Sequence, residues 1–448
     1  MTPSSTRPPL QLVVALLVPG VGAYLGLADY LHLPTIELAE PVRALLFGLA
    51  IVGAAFTLSW AAEAAQVDIS AGLALALLAL LAVLPEYAVD FVFTYDAGQV
   101  YAAEGSCQVS GGSNACSLAL ANMTGANRVL VGVGWPLVVL VASWAALRTR
   151  RAGGHDSATT SPGEVRIEAP LSAEIVYLGI ATLYSLTLPL KDTLTLLDAA
   201  VLVGIFVAYA LRLAKAPATE PDLLGVSKWV GDSGRGRRRG LVLAMFIVAA
   251  VIILLTAEHF AESLVNTGTE LGVDQFLLVQ WVAPLASEAP ELIVACLYAW
   301  RLKASNSLGT LLSSKVNQWT LLVGTIPIVF ALSAGTTDGL PLETSQRFEL
   351  LLTAAQSLFA VSLLVDLSLT IWGAGGLLSL FLVQFVVSVV APDLNEPTII
   401  GLSILYAVLA IAQLATHWRR TVQVVKDGLV TPFSKLERRA EQLAAEHE

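Results

Sequence analysis

The chain has 448 residues, of which 56% are hydrophobic and only 13% charged, with a mean hydropathy of +0.73. Soluble domains carry about 25% charged residues, so this composition excludes a soluble protein and defines an integral membrane one. The formal net charge of −10 identifies no partner, because in a membrane protein the placement of charge matters more than its sum; no nucleic-acid partner is expected.

A helix needs about 20 apolar residues to cross roughly 30 Å of hydrocarbon. Twelve segments meet that need, at approximately 10–28, 41–65, 70–95, 117–147, 171–190, 193–213, 241–268, 275–300, 308–332, 348–368, 371–391 and 398–417. The first reads either as a membrane helix or as a cleaved signal peptide, although its apolar run exceeds the usual h-region of about 7–15 residues. Polar linkers rich in Gly, Pro and Ser, "RTRRAGGHDSATTSPGEVR" and "KAPATEPDLLGVSKWVGDSGRGRRRG", separate the spans. The charged tail after Trp418 reads as helical.

Lys and Arg accumulate in short cytoplasmic loops. Arg148, Arg150 and Arg151 follow the fourth segment, Arg212, Lys215 and the Arg235 to Arg239 cluster the sixth, Arg301 and Lys303 the eighth, and Arg419 and Arg420 the twelfth. All fall on one side, which predicts two cytoplasmic termini in a cell inner (plasma) membrane. Cys107 and Cys116 share a polar loop on the opposite side, where they form either a disulfide or two free thiols; Cys296 lies in an apolar segment.

The sequence repeats. "QVDISAGLALALLALLAVLPEYAVD" resembles "GVDQFLLVQWVAPLASEAPELIVA": a Val-Asp pair opens each, and a Pro-Glu pair follows 17 or 16 residues later. Each continues into a helix of amides and small residues, "ANMTGANRVL" and "GTLLSSKVNQ". On the orientation above, Glu86 lies on an outward-running helix and Glu291 on an inward-running one, so the repeat is inverted. Inverted repeats with proline-interrupted polar helices point to a transporter whose site lies near the membrane midplane. Pro85 and Pro290 lack an N–H, so the carbonyls of Leu81 and Ala286 lose their helical partner. Such oxygens persist in a membrane only where something satisfies them, and a carboxylate beside free carbonyl oxygen suits Ca²⁺ or Na⁺.

These motifs resemble the two inverted α-repeats of the sodium/calcium exchanger family, within the cation/Ca²⁺ antiporter superfamily, in a divergent prokaryotic-type form. "AEHFAESLVNTGTELGVD" is similar to that family's helix and turn before the second repeat. The resemblance implies an all-α polytopic membrane protein with two inverted five-helix repeats and extra N- and C-terminal helices. Its expected divisions are an N-terminal helix (1–40), a first repeat (41–213), a cytoplasmic linker (214–240), a second repeat (241–391), and a C-terminal helix with a cytoplasmic tail (392–448). It further implies secondary antiport by alternating access, with Ca²⁺ exchanged for Na⁺ or H⁺, no resident cofactor, and no enzymatic activity.

Carried over by position, the essential glutamates fall on Glu86 and Glu291, the amides on Asn122 and Asn127, and hydroxyl ligands on Ser287 and Ser314. The departures are that Ala82 and Val83 replace two hydroxyl ligands, Glu288 replaces a serine, Thr310 stands at a usual Asn or Asp, and Lys315 at a usual Asn. A lysine mid-helix costs about 2.5–3.5 kcal/mol on insertion scales and normally faces a partner or cavity. Glu288 and Glu291, three residues apart, offer carboxylates for it. Lys315 is therefore expected to take part of the place of a Na⁺ in relatives. Burial disfavours its charged form and carboxylates favour it, so proton release would couple to cation entry.

Plainer readings remain open. Asn122 and Asn127 would serve equally as interhelical hydrogen-bonding amides, and Glu288 with Lys315 as a structural ion pair. Asp90 and Asp366 stand evenly between a site and a structural role, with Asn317 and Gln318 weaker. Glu258, His259 and Glu262 read as an interfacial cluster, because no second His stands at ligand spacing. Arg128 reads as paired or snorkelled, and Asn122 in "NMT" as helical rather than glycosylated. Fewer hydroxyls and an added lysine lower the oxygen count needed for Ca²⁺, which favours the alternative of a Na⁺/H⁺ or other monovalent antiporter. A membrane-embedded enzyme has less support, because no nucleophile-plus-base or metal constellation is present.

Overall fold

The computed structural model describes residues 9–34, 37–68, 84–108, 114–153, 159–216 and 223–445, apart from the side chains at 290, 441 and 443–445. Apolar length dictates the architecture. Its helices are α1 (Leu10–Tyr30), α2 (Glu40–Ala65), α3 (Leu84–Glu104), α4 (Ala115–Arg151), α5 (Ala169–Leu190), α6 (Leu196–Leu213), α7 (Arg235–Leu271), α8 (Gln275–Trp300), α9 (Ala304–Ala334), α10 (Thr344–Asp366), α11 (Ile371–Val390) and α12 (Pro392–Thr416). The tail adds α13 (Trp418–Leu429) and α14 (Phe433–Ala445). Among the described residues ten helices are long and apolar enough to cross a membrane, and eleven if α8, broken between Ala289 and Glu291, is one span. This is a multi-pass integral membrane protein. The predicted helix at 70–95 is described only from Leu84, so most of it, with Leu81, Ala82 and Val83, lies outside the described residues.

The chain divides into two compact units, Met1–Asn122 with Ala216–Pro290, and Met123–Lys215 with Glu291–Glu448. The first is built on α2 against α7, where Ala50, Ala54 and Leu58 meet Ala249, Ile252, Ile253 and Ala257. In lipid, where apolar burial gives helices no extra drive to associate, small residues permit the close approach that dispersion requires. Gly26 shows how close: a Cβ there would stand 1.9 Å from the Leu255 carbonyl oxygen. Helix α1 thus packs into this unit. The polar cluster seen in sequence ties it down: Tyr30 donates to Glu258 at 2.6 Å, Arg43 pairs with Asp29 at 2.6 Å, and His259 lies 3.8 Å from both Asp29 and Glu262. Cys107 and Cys116 are joined in a disulfide.

The second unit contains short strands that periodicity did not predict: β1 (Thr160–Ser161), β2 (Glu164–Arg166), β3 (Thr193–Leu194), β4 (Leu340–Pro341) and β5 (Ser368–Thr370). Their pairing carries the topology. β2, just before α5, pairs antiparallel with β5, just after α10, and β3, just after α5, pairs with β4, just before α10. The start of α5 is thereby tied to the end of α10 and the end of α5 to the start of α10. These helices of opposite repeats therefore run in opposite directions, as an inverted repeat requires. Both exits are capped alike: Thr195 caps α6 through Asp198 in a capping box, and Thr370 caps α11 through the Gly373 N–H.

Candidate cation site

In the first unit, Glu86 occupies the first turn of α3 directly after Pro85, and both are buried. Asp90 follows one turn later and Thr94 a turn beyond, which places all three on one helix face. Asn122 on α4 donates from Nδ2 to Asp90 Oδ1 at 2.6 Å. Asp90 Oδ2, Asn122 Oδ1 and Thr94 Oγ1 are buried and have no hydrogen-bond partner among the described residues. Buried polar atoms left unbonded are costly; a set consisting wholly of oxygens is the donor set of a hard cation. Asp90, which sequence left evenly balanced, thus stands with Glu86 and Asn122. Thr94 was missed, and its spacing of four from Asp90 was the available signal.

Ser287 and Glu288, on the α8 piece Gln275–Ala289, are also buried. The Ser287 hydroxyl turns back to its own helix, 3.4 and 3.3 Å from the Ala283 and Pro284 oxygens. The break in α8 falls at position 290, where proline has no backbone N–H to donate. A cavity of about 410 Å³ in this unit is lined by Asp96 and Glu262 with Phe93, Ala115, Leu118 and Asn266. Asp96 and Glu262 are both exposed at this cavity, where paired carboxylates raise the local concentration of cations.

The second unit holds Glu291, Asn127, Ser314, Lys315 and Thr310. Glu291 is buried at the start of the α8 piece Glu291–Trp300. Asn127 on α4 and Lys315 on α9 are fully buried, and Lys315 Nζ donates to the Asn127 backbone oxygen at 2.9 Å and to its Oδ1 at 2.7 Å. The same ammonium lies 5.0 Å from the centroid of the Trp319 ring, within cation–π reach. Asn127 Nδ2 donates to the Met123 oxygen at 2.9 Å. Ser314 is buried, whereas Thr310 is only half-buried and bonds the Asn306 oxygen of its own helix at 3.0 Å.

A π turn interrupts each of the two amide-bearing helices, at Leu130–Gly134 in α4 and Gln318–Leu322 in α9. Single π turns inside helices are frequent at functional sites. They also set the register of the repeats. Asn127 and Lys315 each stand three residues before their π turn, and Asn122 and Thr310 each eight. Lys315 therefore occupies the position of Asn127 in the other repeat and bonds to that residue.

The neighbouring Arg128 is paired with Glu349 of α10 at 2.7 Å, both buried, and Gln356 reaches the Arg128 backbone oxygen at 3.5 Å. Asp366 closes α10 and pairs with Arg420 at 2.9 Å and His417 at 3.3 Å. Among the described residues no group of three or more His, Cys, Asp and Glu has the arrangement of a metal centre.

With this geometry in hand, comparison with known proteins places the chain. The profile of the sodium/calcium exchanger protein family matches residues 41–215 and 241–390. The chain is also 37% identical to a structure described as the H⁺/Ca²⁺ exchanger CAX, over 97% of this chain and 98% of that one, with a TM-score of 0.79. It belongs to the sodium/calcium exchanger family. A structure of native YfkE (15% identity, 83% of this chain and 98% of that one, TM-score 0.53) and one described as the Ca²⁺/H⁺ antiporter protein YfkE (14%, the same coverage, TM-score 0.56) share the fold. No curated protein sequence matches.

Proposed function

We propose that this protein is a secondary active antiporter that moves Ca²⁺ across the bilayer in exchange for H⁺ or Na⁺. The observation that carries it is the set of buried oxygens without hydrogen-bond partners, Asp90 Oδ2 and Asn122 Oδ1, on the helices that carry Glu86 and Asn122. Similarity to the H⁺/Ca²⁺ exchanger CAX over nearly the whole chain supports H⁺ as the counter-ion. Glu86 and Glu291 are the principal charged ligands, aided by Asp90, Asn122, Asn127, Ser287, Glu288 and Ser314, and Thr310 and Lys315 shape the coupling. No resident cofactor takes part; the cations are cargo.

Alternating access moves the cation by rearranging the bundle around a site near the midplane. An empty, fully ionised site resists reorientation, because unpaired carboxylates in low dielectric are costly, and a bound cation or protons relieve that cost. Strict exchange follows. Lys315 is a tethered cation, fixed where relatives take up Na⁺, and its ammonium removes one monovalent ion from the cycle. The protein resides in the cell inner membrane with both termini cytoplasmic and the Cys107–Cys116 loop outside, where oxidising conditions maintain the disulfide.

Proteoliposomes loaded with ⁴⁵Ca²⁺ and given an imposed H⁺ or Na⁺ gradient test the assignment. Release of label driven by H⁺ is expected. A monovalent antiporter, favoured by the lysine at position 315, would instead exchange Na⁺ for H⁺ and leave the label inside.

A further inference from the structure

We propose that α13 is a membrane-surface helix that inserts an apolar stripe into the lipid headgroup region beside the bundle and binds anionic phospholipid there through Arg419 and Lys426. The position of the helix follows from its anchors, all in the second unit. Its start is held to the end of α10, where Arg420 and His417 bind Asp366. Its end is held to the end of α6: Arg212 Nε donates to the Gly428 oxygen at 2.8 Å, Nη2 donates to the Asp427 and Thr431 oxygens, and the guanidinium covers the Phe433 ring at 4.4 Å. Gly428 packs on the start of α5 so closely that a Cβ would stand 2.5 Å from the Ser172 oxygen.

The start of α5 and the end of α10 lie together, joined by β2 and β5. A helix of 12 residues, about 18 Å at 1.5 Å per residue, is therefore stretched across the ends of three spans instead of continuing one. Only His417 separates its start from Thr416, the last residue of the spanning helix α12, which places it at the level of the headgroups.

The face it leaves open suits that level. Val424, Asp427 and Gly428 turn inward, while Trp418, Val422, Val425 and Leu429, spaced by four, three and four, are 65, 47, 43 and 40% exposed. That spacing forms one stripe on an α-helix. Ile404, Val408 and Ile411 of the preceding spanning helix α12 are likewise exposed. Arg419 and Lys426 are exposed a quarter-turn away and form no ion pair among the described residues. Apolar residues including Trp beside a basic rim are the pattern of helices lying in the interface, and each basic group near an anionic surface is worth roughly a fivefold preference.

The full-length protein in phosphatidylcholine and phosphatidylglycerol vesicles provides the test, with brominated lipids as depth-graded quenchers of tryptophan. The signal that Trp418→Phe removes is expected to be quenched by shallow bromines, to be protected from aqueous acrylamide, and to be quenched more by brominated phosphatidylglycerol than by brominated phosphatidylcholine. In Arg419→Gln/Lys426→Gln that preference should fall at least about fivefold. A Trp418 signal open to acrylamide and blind to brominated lipid would overturn insertion. Equal quenching by the two brominated lipids would overturn the anionic specificity. Cross-linking of Val425→Cys between two copies in a Cys296→Ser background, without lipid quenching, would assign the stripe to self-association instead.

Discussion

Lys315 Nζ donates to both the backbone oxygen and Oδ1 of Asn127, at 2.9 and 2.7 Å, so two residues at matching positions of the two repeats are bonded directly to each other. One repeat keeps the amide, and the other supplies an ammonium group to it.

Removing that cation has two separable consequences. Lys315→Met leaves the Asn127 acceptors without their donor, at a cost of about 1–3 kcal/mol, read as a lower midpoint in thermal unfolding in detergent. Lys315→Asn restores an oxygen ligand and should make Ca²⁺ flux depend on Na⁺ while flattening its pH dependence. A flux with unchanged proton dependence and no response to Na⁺ would remove Lys315 from the coupling.

Charged ligands should dominate affinity. Glu86→Gln and Glu291→Gln each replace a carboxylate with a neutral amide of the same shape, and a loss of about 3 kcal/mol corresponds to roughly a hundredfold weaker Ca²⁺ binding by calorimetry. Asp366→Asn, at the end of α10 with Arg420 and His417, should retain wild-type affinity.

The Arg128–Glu349 pair is buried on both sides. Breaking it with Arg128→Met or Glu349→Leu leaves an uncompensated charge and should cost about 3–5 kcal/mol, whereas the double variant, with neither charge, should recover most of that loss. Thermal midpoints of the four proteins close the cycle, and additive losses would show that the two residues act independently.

Gly428→Ala tests the docking of the tail. With Ser172 oxygen 2.5 Å and Val176 Cγ2 2.6 Å from the added methyl group, α13 must shift away from α5. Trypsin should then cut at Arg419 and Arg420 faster than in the parent, and an unchanged cleavage rate would mean that the contact yields without releasing the helix.

Asp68, beyond the end of α2, is held below the usual carboxylate range by the Arg238 guanidinium, which donates to both its oxygens at 2.8 Å. Its folded pKa lies below its unfolded value of about 3.9. The pair therefore contributes stability above about pH 4 that fades as pH falls through the lower folded value. Asp68→Asn should be less stable at neutral pH and should narrow that gap with the parent in acid, measured as the difference in thermal midpoint across the range.

Much of the fold was legible because lipid imposes a length. Each apolar segment from 10–28 to 398–417 reappears as a helix at nearly the same bounds, except that 69–83 lies outside the described residues. The Pro-Glu pairs were legible because proline and ionised groups are rare within spans for physical reasons. The π turns were not, because an extra residue in a helical turn leaves no mark on hydropathy. The five short strands were not, because two- and three-residue pairings have no periodicity to detect.

Sequence by itself therefore determined which segments are long and apolar enough to cross the membrane and which of them carry Pro-Glu pairs, since these depend on composition and local covalent chemistry. Only the tertiary structure decided that Lys315 bonds Asn127, that Arg128 pairs with Glu349, that Asp90 accepts from Asn122, and that Arg212 holds the tail. A buried charge must find a partner at about 3 Å, but the hydrogen bond that satisfies it depends on distance in space, and residues 188 positions apart in the chain meet only once helices have packed.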